Sequence, residues 1–230
     1  MPLISTGTRS AWRELRHELA IQRRHIGAVR NARRLQGQSR LKLHLGCGPK
    51  RKAGWINIDL QKAADLQLDV REDFPFEAGT VSIIYSEHFL EHLEYPTEVA
   101  HVLRESLRVL EPGGLFSVGV PDAGEVLLQY AGGELPALMQ EWSRDKDLQW
   151  FPPWVWATPM HLVNFFFRQG REHKYAYDFE TLARVLKEAG FSDVRKRDFD
   201  PRSDSEDRRE GTLYVDARKA GHSELPGGRA

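Results

Sequence analysis

The 230-residue chain carries 33 Lys/Arg and 33 Asp/Glu, so its formal net charge is zero. That balance excludes a uniformly basic coat for nucleic acid and an acidic solvating tail, and 40% hydrophobic with 29% charged residues is ordinary for a globular domain. A single cysteine, Cys47, excludes a disulfide framework and any zinc site with more than one Cys ligand, and it fits a reducing compartment.

The zero is a cancellation. Residues 1–42 hold ten Lys/Arg against two acids, Glu14 and Glu18, which leaves an equally acidic remainder. Residues 9–35 predict a helix, because Trp12, Leu15, Leu19, Ile26 and Val29 repeat on a helical period with Arg13, Arg16, Arg23, Arg24 and Arg30 largely off that face. Three uses stay open for it: packing on the body or on a second copy, lying on an anionic membrane surface, and gripping nucleic acid. Gln36-Gly37-Gln38-Ser39 ends the helix, so residues 1–40 form an arm and linker.

From residue 41 short apolar strands take over: Leu41–Leu45, Trp55–Leu60, Val81–Tyr85, Leu115–Val120 and a late Leu213–Ala217. Helical stripes lie between them at 95–110 (Val99, Val102, Leu103, Leu107) and 179–189 (Leu182, Val185, Leu186), the second closed by Gly190. Alternating strands and helices predict an α/β domain over 41–219, with a mostly parallel sheet and helices on both faces. An insertion at 123–178 interrupts it. Residues 142–179 contain 11 of the chain's 23 aromatics, which reads as a functional cap, as a second small core, or as both. Residues 220–230 read as a disordered tail. No apolar run is long enough for a membrane span, and the start lacks a secretory apolar stretch.

The chemistry begins at Leu43-His44-Leu45-Gly46-Cys47-Gly48, a strand running into Gly-x-Gly, where missing side chains let a ligand approach the backbone. Eleven residues past Gly48, Asp59 ends the next strand, a position suited to two ribose hydroxyls. With Leu68-Asp69-Val70, Phe74-Pro75-Phe76, Val81–Ser86, Glu87-His88-Phe89-Leu90-Glu91-His92-Leu93 and Arg108–Gly114 following in order, the chain resembles a class I S-adenosylmethionine-dependent methyltransferase. The closest look is to a compact branch often associated with surface-polysaccharide synthesis. The resemblance implies a Rossmann-like methyltransferase fold with an antiparallel final strand, and S-adenosyl-L-methionine as cofactor. It implies that Leu45, Gly46, Cys47, Gly48, Asp59, Leu60, Asp69, Val70, Ser86 and Glu87 hold that cofactor. There are departures: residues 46–54 are too few for a helix, and 66–70 follow so closely that an arch replaces a regular third strand.

His88, Asp122, His161 and His173 are the candidate catalytic residues. A histidine is the natural base for an acceptor hydroxyl, and Asp122 at the end of a strand is either a base or a helix cap. His88 and His92 stand four apart on one helical face, but the His-Glu-x-x-His order is missing and no metal is expected there; His92 reads as structural. The cap's flat aromatics suit sugar rings. The leading expectation is O-methylation of a small molecule or glycan, including a lipid-linked sugar, by a cytoplasmic enzyme touching the inner membrane face or a second copy through helix 9–35. RNA methylation through the basic arm is the first alternative. A non-catalytic methyltransferase-like module that binds a partner is the second.

Overall fold

The computed structural model describes residues 5–144 and 151–221. Its centre is a six-stranded sheet in the order β2-β1-β3-β4-β6-β5. The strands are β1 (Leu41–Leu45), β2 (Ile56–Ile58), β3 (Val81–Glu87), β4 (Leu110–Pro121), β5 (Phe191–Lys196) and β6 (Thr212–Lys219). The first four run parallel, and β6 is antiparallel to both β4 and β5. The expected antiparallel final strand is therefore present. Leu43, Leu45 and Ile84 are fully buried, as strands in the middle of a covered parallel sheet require.

The main helices are α1 (Thr6–Ala32), α2 (Thr97–Val109) and α6 (Phe179–Glu188). Val99, Val102 and Leu103 of α2, and Leu182 and Leu186 of α6, join the sheet's core. Asp178 caps α6 by accepting from the Thr181 amide at 2.8 Å.

Between β1 and β2 there is no helix, and one side chain organises the turn instead. Asn57 Oδ1 accepts from the Lys52 amide at 2.8 Å, and its Nδ2 donates to the Lys52 and Trp55 carbonyls. Asp65 accepts from the Asn57 amide at 2.9 Å. The segment after β2 is the expected arch: Leu66 makes a single parallel bridge to Ile58, and Leu68 and Val70 plug the core without forming a strand.

The insertion folds as α3 (Ala123–Gly132), α4 (Leu135–Trp142), a short 3-10 turn at Pro153–Ala157 and α5 (Pro159–Arg168). Val126, Leu135, Met139, Phe151, Val155, Leu162 and Phe165 form a second core there. Most cap aromatics are therefore structural; Trp150 lies outside the described residues, as do 222–230 of the expected tail.

The arm departs most from expectation. Helix α1 forms, capped by Ser5, but it docks through Ile21, Ala28 and Ala32. Most of the expected apolar stripe faces solvent, with Trp12 60% and Leu15 50% exposed, and only Val29 of it packs against the core. Small alanines allow close backbone approach on the docked side, and Arg24 Nη1 fastens the helix to the Leu60 carbonyl at 3.1 Å. Strand β5 was also unexpected from sequence, since it is an edge strand on which only Phe191 is buried. Among the described residues no helix is long and apolar enough to cross a membrane.

Candidate active site

The parallel strands end together at one edge of the sheet. Past β1, Gly46 and Gly48 adopt φ of +63° and +50°. A Cβ at Gly46 would lie 2.4 Å from the Phe89 ring, so close packing as well as conformation demands glycine there. The Gly48 amide donates to Asp59 Oδ2 at 2.8 Å, and the Gln61 amide donates to Oδ1 at 2.9 Å. Asp59 is thus fixed with lone pairs left over on both oxygens.

This loop opens on a groove of 370 Å³. Gly46, Asp59, Leu60, Asp69 and Val70 form its floor and sides, and Glu18 and Ile21 of α1 form a wall. Arg71 grips Asp69 through Nε at 2.9 Å and Nη2 at 2.8 Å and reaches Glu18 at 2.9 Å. Burial works to raise the Asp69 pKa, but the Arg71 hydrogen bonds outweigh it and hold the carboxyl below its ordinary value.

The remaining expected cofactor residues, Leu45, Cys47, Gly48, Ser86 and Glu87, do not line the groove, although Cys47 and Gly48 belong to its loop. Leu45 is fully buried in the sheet. Cys47 contributes its amide to the Ile58 carbonyl, and its thiol is pushed up to about 11 by burial and by Asp59, which leaves it inert as a nucleophile. Ser86 is buried at the end of β3. Glu87 turns away toward β6, accepting from the Ser205 amide and the Tyr214 hydroxyl, each at 3.1 Å.

Next to the groove lies a second cavity of 390 Å³, lined by His88, His173, Phe151, Phe166 and Arg208. His92 lines both. His88 has a φ of +51°, a left-handed conformation costing about 1 kcal/mol, and its amide donates to the Gly119 carbonyl at 2.8 Å. Burial keeps His88 well below its ordinary pKa, lowers His92, and takes His173 down to about 4. All three rings are neutral near pH 7. Burial pushes Glu91, beneath them, up to about 8.

Two of the four candidate catalytic residues are therefore brought together, His88 and His173. Asp122 is instead the cap of α3, accepting from the Glu125 amide at 3.1 Å. His161 is exposed on α5, edge-on to Trp154, and borders neither cavity. Sequence reasoning missed Glu18, Ile21, Phe89 and Arg208. Phe89 and His92 lie inside a recognised motif, but the two α1 residues and Arg208 are far away in the chain and carry no local signal.

Residues 43–118 match the family model of a methyltransferase domain, about a third of the chain. No curated protein matches the chain. Similar solved structures include an S-adenosylmethionine-dependent methyltransferase from Archaeoglobus fulgidus, at 16% identity over 85% of this chain and 94% of that one, with a TM-score of 0.48. Another, from Methanosarcina mazei, shares 13% identity over 82% and 96%, with a TM-score of 0.48. A third is phosphoethanolamine N-methyltransferase 2 of Haemonchus contortus in complex with S-adenosyl-L-methionine, at 13% identity over 84% and 52%, with a TM-score of 0.46. The domain match and the sheet together support a class I S-adenosylmethionine-dependent methyltransferase.

Proposed function

We propose that the chain transfers a methyl group from S-adenosyl-L-methionine to a hydroxyl of a small molecule or glycan. The observation that carries this reading is the pair of adjoining cavities, one built on the glycine loop and Asp59, the other on neutral histidines and aromatic rings. The groove's donors and acceptors suit the cofactor. Asp59 has free lone pairs for two ribose hydroxyls, and Leu60 and Val70 offer apolar cover for a base. When bound, the cofactor supplies a methyl on a sulfonium that is displaced in line.

The chain's share of the work is alignment and exclusion of water. Helix α1 walls the groove, and the cap closes the second cavity. Neutral His88 or His173 accepts the acceptor's proton, while Trp142, Phe151 and Phe166 line the space a sugar ring would enter. The outward stripe of Trp12, Leu15, Leu19 and Ile26, flanked by arginines, supports peripheral membrane contact or self-association and so a place near lipid-linked sugars.

Calorimetry with S-adenosylhomocysteine tests the groove: saturable binding is expected, and its absence would return the chain to a non-catalytic module. A panel of sugars and lipid-linked glycans with methyl-labelled cofactor tests the acceptor. Label in RNA but in no glycan would replace the glycan reading with the nucleic-acid one.

A further inference from the structure

Between the two cavities lies a cluster whose hydrogen-bonding pattern methyl transfer alone leaves unexplained. Glu91 is 1% exposed, and neither of its carboxylate oxygens has a hydrogen-bond partner. Three histidine nitrogens face its Oε1: His88 Nδ1 at 3.9 Å, His92 Nε2 at 3.9 Å and His173 Nε2 at 4.0 Å. None is close enough for a hydrogen bond.

The opposite ring nitrogens reveal the tautomers. His173 Nδ1 is 2.6 Å from the Phe166 carbonyl and His92 Nδ1 is 3.1 Å from the Glu172 carbonyl. A carbonyl only accepts, so in both rings that nitrogen carries the proton. His88 Nε2 lies 2.8 Å from Thr212 Oγ1, whose own hydrogen goes to the Arg208 carbonyl, so this hydroxyl too accepts. The three rings thus turn lone pairs toward a buried carboxyl whose oxygens make no hydrogen bond, and a cation at the centre would engage these atoms together.

The geometry agrees. Ligand atoms of Glu91, His92 and His173 all lie within 4.8 Å of one another. A tetrahedral ion with ordinary zinc bond lengths sets its ligand atoms about 3.3 Å apart, so modest side-chain contraction closes the set. Backbone carbonyls holding the far ring nitrogens are the usual outer partners of metal-binding histidines. Two imidazoles and one carboxylate suit zinc and its first-row neighbours, with a position left open, whereas magnesium and calcium prefer oxygen alone. Arg208, which lines the same cavity, is drawn aside by the Glu87 carbonyl at 2.8 Å and carboxylate at 3.6 Å.

We propose that Glu91, His92 and His173, with His88 beside them, bind one divalent transition-metal ion of the zinc class at the junction of the groove and the second cavity. There it would meet an acceptor oxygen and, by occupying the His173 lone pair, leave His88 as the proton acceptor; that role rests on the methyltransferase reading, whereas the binding itself does not. His88 and His92 lie within one heptapeptide, but the sequence separates His173 from them by the whole cap.

The test uses the full chain, stripped with a chelator and free of cofactor and acceptor. Zinc is titrated by calorimetry and cobalt by its visible spectrum. The expected result is one ion per chain at submicromolar affinity, with the intense visible bands of a low-coordinate cobalt site and a raised thermal midpoint. Glu91→Gln and His173→Gln should each weaken binding at least about tenfold, while His101→Gln, outside the cluster, should not. Absence of saturable binding by the unaltered chain would overturn the proposal even if the variants unfold. So would unchanged affinity in both cluster variants. Because no methyl transfer is measured, failure here leaves the cofactor binding described above to stand or fall separately.

Discussion

The glycine-loop groove and the histidine cavity share a wall at His92 but are built on opposite plans. The groove floor comes from Gly46 to Val70, neighbours along the chain, shaped by short-range hydrogen bonds such as Gly48 to Asp59. The cavity gathers His88 from the end of β3, Phe151, Phe166 and His173 from the cap region, and Arg208 from the β5–β6 connection. The first arrangement places its chemistry by local backbone shape. The second places it only after the whole chain has folded, so its geometry depends on distant supports.

The sharpest way to separate the two plans is to break one distant support. Asp204 pins the β5–β6 connection with its side chain fully buried, accepting from Arg197 Nη2 at 2.7 Å, the Tyr85 hydroxyl at 3.0 Å and the Asp200 amide at 2.7 Å. Asp204→Asn should cost about 3 kcal/mol in urea unfolding. Burial tends to raise the Asp204 pKa, but Arg197 and its other donors hold it below the ordinary value. The stability it contributes is therefore present above the unfolded carboxyl pKa of about 3.9 and is lost as pH falls through the lower folded value. The gap in thermal midpoint between wild type and Asp204→Asn should shrink below pH ~4. A gap unchanged down to pH ~2 would mean that the charge contributes nothing.

A local break comes next in size. Gly46→Ala meets both a left-handed backbone and the Phe89 ring, and should lose about 2 kcal/mol, with Phe89→Ala in the same chain recovering part. Full additivity of the two changes would deny the contact. Asp59→Ala should keep the fold, by circular dichroism, yet weaken S-adenosylhomocysteine binding at least tenfold, about 1.4 kcal/mol. Equal affinity would remove Asp59 from the site. Smallest is Glu18→Ala, whose exposed pairing with Arg71 is worth under about 1 kcal/mol; it should barely move the thermal midpoint.

The same contrast explains what could be read from sequence. Strand β1 falls where its Leu-x-Leu-x-Leu alternation put it, and the arch at 66–70 followed from a connection too short for a crossover. Asp59 was legible because strand end and glycine turn are sequence neighbours. The docked face of α1 was not, because a pattern weighted toward large side chains overlooks Ala28 and Ala32. Glu87 looked like a cofactor residue by position, yet Ser205 and Tyr214, more than a hundred residues away, claim it. Asp122 offered two roles, and the start of α3 selected the cap. His92 read as structural, and its edge-on contact with His173, 5.0 Å between ring centroids, is visible only in three dimensions.

Helix α1 is seated on Ile21, Ala28 and Ala32, with Val29 beside them and Arg24 and Glu18 tied to the body, while a broad row of tryptophan, leucine and isoleucine points outward. The inner side is a wall of the groove through Glu18 and Ile21, so the helix that shows this row to solvent also bounds the ligand space, and a change in its seating would change the shape of that space.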